Sequence, residues 1–493
     1  MFSYLSPSTE CNWEVEQTPP YADLLAVGRV CRYWREVAIS ATELWTHIIF
    51  SVSCTVPVKE ELSIAKLCMR RSGMQPLDFF YTTPFPGLLR AEDLIPDRRR
   101  LRSVVYGYVG DDFGGVDELA PYLLPASNLE RLEIRGSDGL PLPTLFPDIV
   151  PHLRELTISR CTPWPNNQFG SLTSLRLLCQ KGIDENVNPL VKILQCSPNL
   201  EELLLEGEFR SETDTQQTPK PNIPTVPLHS LKRLHICRLA AETTRHLLGA
   251  LDLLPNGILM RFTNISTDLD AIFPETIAPK LSPRSATKLE LIYPSKGGVI
   301  LHATNGVVHT RLAYRQLPRR GEFLRWIAKK VHPLRELWLH IDRDTHYEMP
   351  TPLVLRDLET FVIEIDPNEK FNSVFLPMLS PYEDSAHLPH LSTLEIRNVF
   401  GVAKFGEALK ARSDAGFHLK TLRIRWFEGC EARMAPLAQF VDNLEFYRVA
   451  EKTSRGLKLP EGCMVKSRWW GTWSRDFVGE MENEPVLWTD EVQ

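Results

Sequence analysis

The sequence predicts an α/β chain: a short helical N-terminal domain followed by an irregular solenoid whose parallel strands line a concave face. Three observations lead there. At 493 residues the chain is too long for one compact core, so it needs several domains or a repeat architecture. A motif of the form L-x-x-L-x-[LI] recurs along most of its length. The stretch ahead of that motif has helical spacing instead, with two tryptophans close together.

The helical stretch runs from Tyr21 to Ile48. Leu24, Val27, Cys31, Trp34 and Ala38 recur at steps of three and four, which predicts one helix with these residues on a single face. Val30 and Val37 widen that face, while Arg29, Arg32, Arg35 and Glu36 fall mostly on the other side. A break at Ser40 and Thr42 follows, and Leu44-Trp45 supply a second apolar pair. Such a mini-core is too small to be stable alone and completes itself against another protein or the next domain.

The run from Val30 to Ala38 (VCRYWREVA), followed by Leu44 to Ile48 (LWTHI), resembles the second half of an F-box. Phe2 to Pro7 (FSYLSP) resembles the end of that motif's first helix. The family normally opens with a Leu-Pro-x-Glu-Ile-Leu segment, whereas this chain starts at Met1, inside the first helix. Ser8 to Pro20 also stand where short family members have a tight turn. Ala65 to Leu77 (AKLCMRRSGMQPL) is similar to the segment after the F-box in many proteins of mushroom-forming fungi. The resemblance implies a substrate receptor. Its F-box would dock on the Skp-family adaptor of a cullin-based ubiquitin ligase, and the rest of the chain would hold an unknown substrate protein. It also implies that Phe2, Leu5, Leu24, Val27, Val30, Trp34, Leu44 and Trp45 form the shared core and adaptor-facing surface. The alternative is a repeat scaffold whose truncated F-box no longer docks.

A connector comes next. Pro57 and Gly73 bracket a helix with Leu62, Ala65 and Met69 on one side, and Leu77 to Tyr81 reads as a short strand. The repeated motif then appears as Leu129/Leu132/Ile134, Leu153/Leu156/Ile158, Leu172/Leu175/Leu177, Leu200/Leu203/Leu205 and Leu231/Leu234/Ile236. It returns as Leu334/Leu337/Leu339, Leu358/Phe361/Ile363, Leu391/Leu394/Ile396 and Leu419/Leu422/Ile424, with a degenerate copy at Leu101/Val104/Tyr106. The steps scatter around the roughly 20–29 residue period of leucine-rich repeats. In each unit the last two apolar residues point to one side of a short strand, and the first turns the incoming loop onto the same core. One unit cannot bury that face alone, but a stack of units can. Asn188 to Gln195 and Thr243 to Ala250 have the helical spacing of an outer layer. The interval from 237 to 333 has room for three more units, with Leu289-Glu290-Leu291 and Gly257-Ile258-Leu259 as candidates.

These readings divide the chain into an F-box-like domain at 1–56, a connector at 57–97, the repeats at 98–468, and a cap with an acidic tail at 469–493. Residues 1–56 are expected to be separable from the repeats. Gly207 to Pro227 is polar and proline-bearing, which predicts a mobile loop, and Trp469, Trp470 and Trp473 read as a cap over the last repeat.

Substrate is expected on the strand face opposite the leucines. Trp338, His340, Arg397, Arg423 and Arg425 are the candidates, because tryptophan and arginine dominate binding hot spots and clustered arginines suit an acidic or phosphorylated segment. The competing reading is that these arginines pair with Glu364 and Glu395, and that Trp338 packs under a loop.

A net charge of −6 without long like-charge blocks argues against a broad nucleic-acid face. No apolar run reaches a membrane span, and no secretory signal opens the chain. The ten cysteines form no C-x-x-C pair and read as reduced thiols, which suits cytoplasm or nucleus. Phosphate-loop, serine-hydrolase and H-E-x-x-H motifs are lacking, so no enzyme, cofactor or metal is expected. His340, Asp342, Asp344 and His346 read as a solvated edge rather than a metal cluster.

Overall fold

The computed structural model describes residues 20–51, 58–83, 98–108, 126–140, 142, 145, 152–161, 168–180, 182–184, 186–208, 224–253, 257–263, 272–273, 283–293, 299–314, 322–341, 354–365, 376–380, 387–397, 402–426 and 430–448. The chain divides into two compact units, Met1–Leu254 and Pro255–Gln493. Each carries a sheet of mostly parallel strands.

The first unit opens with α1 (Pro20–Val30) and α2 (Arg32–Ser40). The pattern predicts one continuous helix here, and the structure breaks it at Cys31, whose backbone is extended (φ −159°, ψ 169°). Local capping accounts for the break. Cys31 Sγ accepts the Trp34 backbone N–H at 3.4 Å, and Arg35 Nε donates to the Gly28 carbonyl at 2.8 Å. The orphan groups of the new helix ends are thereby given partners. A 3₁₀ turn (Thr42–Trp45) then leads into β1 (His47–Ser51).

Helix α3 (Val58–Arg71) begins with Glu60 and Glu61 and ends with Arg70 and Arg71, the charge order its dipole favours. Its buried positions are Glu61, Ala65 and Cys68, one residue off the predicted Leu62/Ala65/Met69 face. The strands β2 (Leu77–Thr83), β3 (Leu101–Tyr108), β4 (Arg131–Leu140), β5 (Glu155–Cys161) and β6 (Ser174–Gln180) follow. Then come α4 (Asn188–Gln195), β7 (Glu202–Gly207), β8 (Val226–Pro227), β9 (Arg233–Cys237), α5 (Ala241–Ala250) and β10 (Leu251–Asp252). Strands β1 to β7 and then β9 pair side by side, all parallel, and β8 with β10 form a separate short ladder.

Register follows the motif. Val104, Leu132, Leu156, Leu175, Leu203 and Leu234 are successive partners across β3 to β9. Every apolar residue of the nine full motifs is at most 5% exposed. Backbone hydrogen bonds lock each step. The Glu130 carbonyl accepts from the N–H groups of both Arg154 and Glu155, and the Arg154, Thr173 and Glu201 carbonyls repeat the arrangement one strand further on. The two variable residues after each leading leucine therefore fix the register that the leucines bury.

Gly207, at the end of β7, is required by crowding. A Cβ there would lie 2.6 Å from the Arg238 carbonyl oxygen. Backbone cannot yield as a flexible side chain does, so Gly207→Ala should cost about 1–3 kcal/mol, read as a lowered urea midpoint with unchanged slope.

The second unit contains β11 (Ile258–Thr263), β12 (Lys288–Tyr293), β13 (Val299–Thr304), β14 (Val308–Tyr314), α6 (Glu322–Lys330), β15 (Glu336–Ile341) and β16 (Thr360–Ile365). It continues through α7 (Leu376–Leu379), β17 (Thr393–Arg397), α8 (Val402–Asp414), β18 (Leu419–Trp426), α9 (Cys430–Met434) and β19 (Val441–Arg448). Strands β12, β15, β16, β17, β18 and β19 are parallel neighbours, and Leu289, Leu337, Phe361, Leu394, Leu422 and Leu444 share one row.

The interval with room for three further units holds strands at both candidate positions, β11 and β12, but connects them differently. Strands β12, β13 and β14 form an antiparallel meander, and β14 pairs parallel with β11. The links are too short for any other outcome. Only residues 294–298 and 305–307 separate these strands, and a parallel crossover needs about a dozen residues.

Several sequence-predicted features lie outside the described residues: Phe2 and Leu5, most of the 207–227 insertion, Asp342 to His346, and Trp469, Trp470 and Trp473.

Candidate functional site

In the first unit, α1, α2 and the 3₁₀ turn enclose a small core anchored by Trp45. Its ring is 1% exposed, its Nε1 donates to the Ala38 carbonyl at 2.7 Å, and the Arg71 guanidinium lies 4.4 Å from the ring centroid. Leu24, Ala38 and Leu44 are buried with it, whereas Val27 and Trp34 are half-buried. Of the residues expected at the adaptor, Leu24, Leu44 and Trp45 thus belong to the interior of this chain. Among the described ones Val30 faces out, at 65% exposed, and Tyr33 in α2 is 71% exposed. Sequence reasoning missed Tyr33, because a continuous helix through Cys31 would turn that residue away from the apolar stripe.

The helical core runs into the sheet through β1. His47 Nε2 lies 3.1 Å from Asp78 Oδ2 on β2, and Arg102 on β3 grips both oxygens of the same carboxylate. Burial pushes the His47 pKa down, with Asp78 opposing and Arg102 reinforcing that shift. Phe50, Tyr81 and Tyr106 stack across the three strands with centroids 5.5 Å apart at each step. The basic run at Arg99, Arg100 and Arg102 is partly used internally, since Arg100 donates to the Gln75 carbonyl and to Ser72 Oγ.

In the second unit, alternation along β15 puts Leu337 and Leu339 in the core and Trp338 and His340 on the opposite face. The five expected substrate-binding residues share that face and are largely engaged with one another and with acids. The Arg397 guanidinium lies 5.0 Å from the Trp338 ring centroid, within cation–π range, and Trp338 stacks on His340 and donates to Glu336 Oε1 at 2.7 Å. Arg397 bonds Glu395 Oε1 at 2.9 Å and lies 3.5 Å from Glu364 Oε2, while Arg425 reaches Glu364 Oε1 at 3.1 Å. Arg423 pairs with Glu445 at 2.8 Å and is the most open of the three arginines, at 46%. Tyr447 on β19, which carries no motif leucine ahead of it, donates its hydroxyl to Glu395 at 2.8 Å.

The electrostatics match this pairing. Burial works against the Glu364 carboxylate, yet the His340 hydrogen bond and the charges of His340, Arg397 and Arg425 hold its pKa at about 2. Burial, with Glu395 beside it, pushes the Tyr447 hydroxyl well up. Of the two sequence readings, the geometry matches internal pairing for Arg397 and Arg425. Among the described residues, no group of three His, Cys, Asp or Glu side chains is placed to hold a metal ion. No described helix is long and apolar enough to cross a membrane.

Comparison with curated proteins finds no match to the chain. A family model described as F-box-like matches residues 2–51, the segment that ends with β1. The apolar pattern, the Trp45-centred core and the family match agree, and the N-terminus of this chain is an F-box-like domain.

Proposed function

We propose that the chain is a substrate-recognition subunit of a Skp–cullin–F-box ubiquitin ligase. The F-box-like domain docks on a Skp-family adaptor, through it on a cullin, and the strand region holds a substrate protein. The observation that carries this reading is the F-box-like match at residues 2–51 together with the outward-facing Val30 and Tyr33. Exposed large apolar side chains over a completed small core are what a docking element presents to its partner.

The fully buried motif leucines and their in-register rows support a leucine-rich-repeat-like solenoid, interrupted by the β12–β14 meander. The RSG-then-PL segment at Ala65 to Leu77 supports kinship with the F-box proteins of mushroom-forming fungi. The protein acts by binding rather than catalysis, in cytoplasm or nucleus, without a cofactor and without contacting nucleic acid or membrane.

Co-purification with a Skp-family adaptor tests the proposal. The full chain should capture the adaptor, and Val30→Asp and Tyr33→Ala should each weaken capture about tenfold, near 1.4 kcal/mol. Neither change should alter thermal stability, because both side chains are exposed. Absence of capture by the wild-type chain at micromolar concentration would replace this proposal with a repeat scaffold that does not dock.

A further inference from the structure

A line of ionisable side chains crosses the strand face of the second unit: Arg311 on β14, His302 on β13, Glu290 on β12, His340 on β15, Glu364 on β16 and Arg425 on β18. The first three are at most 1% exposed. At that depth the hydrogen-bond partners decide where protons sit. Arginine can only donate, so His302 Nε2, which faces Arg311 Nη1, must accept and carries no proton. The His302 proton is then on Nδ1, 2.8 Å from Glu290 Oε2.

His340 is held differently. Its Nε2 lies 2.9 Å from Glu290 Oε1, an ion pair off the ideal hydrogen-bond line, and its Nδ1 lies 3.1 Å from Glu364 Oε2. A carboxylate oxygen only accepts, so the doubly protonated ring is the form that turns an N–H toward a glutamate at each nitrogen.

We propose that at neutral pH His302 is a neutral imidazole and His340 an imidazolium, and that the His340 charge is a pH-sensitive clasp joining the β12–β14 meander to the parallel strands from β15 onward. Glu290 approaches from β12 with His302 behind it, and Glu364 approaches from β16. Arg397 and Arg425 back Glu364 from β17 and β18, and the Trp338 ring lies alongside His340 on β15. When the proton leaves, one ring lone pair faces a carboxylate oxygen and the two glutamates lose the charge between them. Burial opposes the His340 charge, but the bonds to Glu290 and Glu364 outweigh it and raise its pKa.

The sign follows from linkage. A folded pKa above the unfolded value of about 6.5 gives stabilisation that is complete below that pH and is lost as pH rises through the folded value. The clasp does not depend on whether this face captures a substrate.

Two measurements on the full-length chain test it. With ¹⁵N-labelled histidine, two-bond ¹H–¹⁵N spectra near pH about 7 should show one ring doubly protonated and absent from His340→Gln. They should show a second, neutral with its proton on Nδ1, absent from His302→Gln. A neutral His340 ring at that pH overturns the assignment. Hydrogen exchange of wild-type β12 and β15 peptides, corrected for intrinsic rates and referenced to β6 and β7, should lose about tenfold protection between pH about 7 and about 9. His340→Gln should show the loosened seam already at the lower pH, with no further change. Wild-type protection that is the same at both pH values overturns the clasp even if the glutamine variant fails to fold.

Discussion

Trp45→Ala should destabilise the first unit by about 3–5 kcal/mol, the range of buried aromatic truncations. The ring is 1% exposed and joins three elements. It donates to the α2 carbonyl of Ala38, belongs to the 3₁₀ turn, and carries the Arg71 guanidinium of α3 on its face. Truncation leaves a cavity, an orphaned carbonyl and an unstacked cation together. Thermal unfolding followed by near-ultraviolet circular dichroism should move down by at least about 6 °C, and adaptor capture should disappear with the fold. Trp34→Ala, at a half-buried position, should cost less stability. A Trp45→Ala chain that melts with the wild type would show that this core contributes nothing to the first unit.

Arg397→Ala/Arg425→Ala should destabilise the second unit by about 3 kcal/mol, as removal of partners from a buried carboxylate does. Both guanidiniums contact Glu364, whose side chain is 19% exposed, and the double change leaves that carboxylate facing His340 without its arginines. Adding Glu364→Gln should restore part of the loss, because the carboxylate that lost its two arginines is then neutral, while His340 gives up one charged partner. Chemical denaturation of the double and triple variants decides the matter. A double variant as stable as wild type that no longer captures substrate would assign the arginines to recognition instead.

Much of the sheet was legible because the burial rule is simple and local. Leu156, Leu175 and Leu203 had to share a face, and parallel strands of matched spacing set them in one row. The helix break at Cys31 was not legible, since periodicity runs through it and the capping bonds of Arg35 and the thiol involve no apolar residue. The meander escaped for a related reason. Ile300, Leu301, Val308 and Leu312 read as strands of either direction, and only the short links decide. Strand β19 escaped because Val441 stands where a leading leucine was sought, although Leu444 joins the row of Leu422. On the candidate face the residue types were legible but their engagement was not. Arg425 meets Glu364 across an intervening strand, and no spacing in the sequence announces that reach.

The strand His47–Ser51 closes the F-box-like segment and is also a stave of the first unit's sheet, tied to β2 by its backbone, by His47–Asp78 and by the Phe50–Tyr81 stack. A partner seated on α1 and α2 is therefore held at a set bearing to β2 through β7, as work is held in a jig. What that partner can reach is then governed by fixed distance and direction rather than by the effective concentration that a flexible tether of a given length would supply.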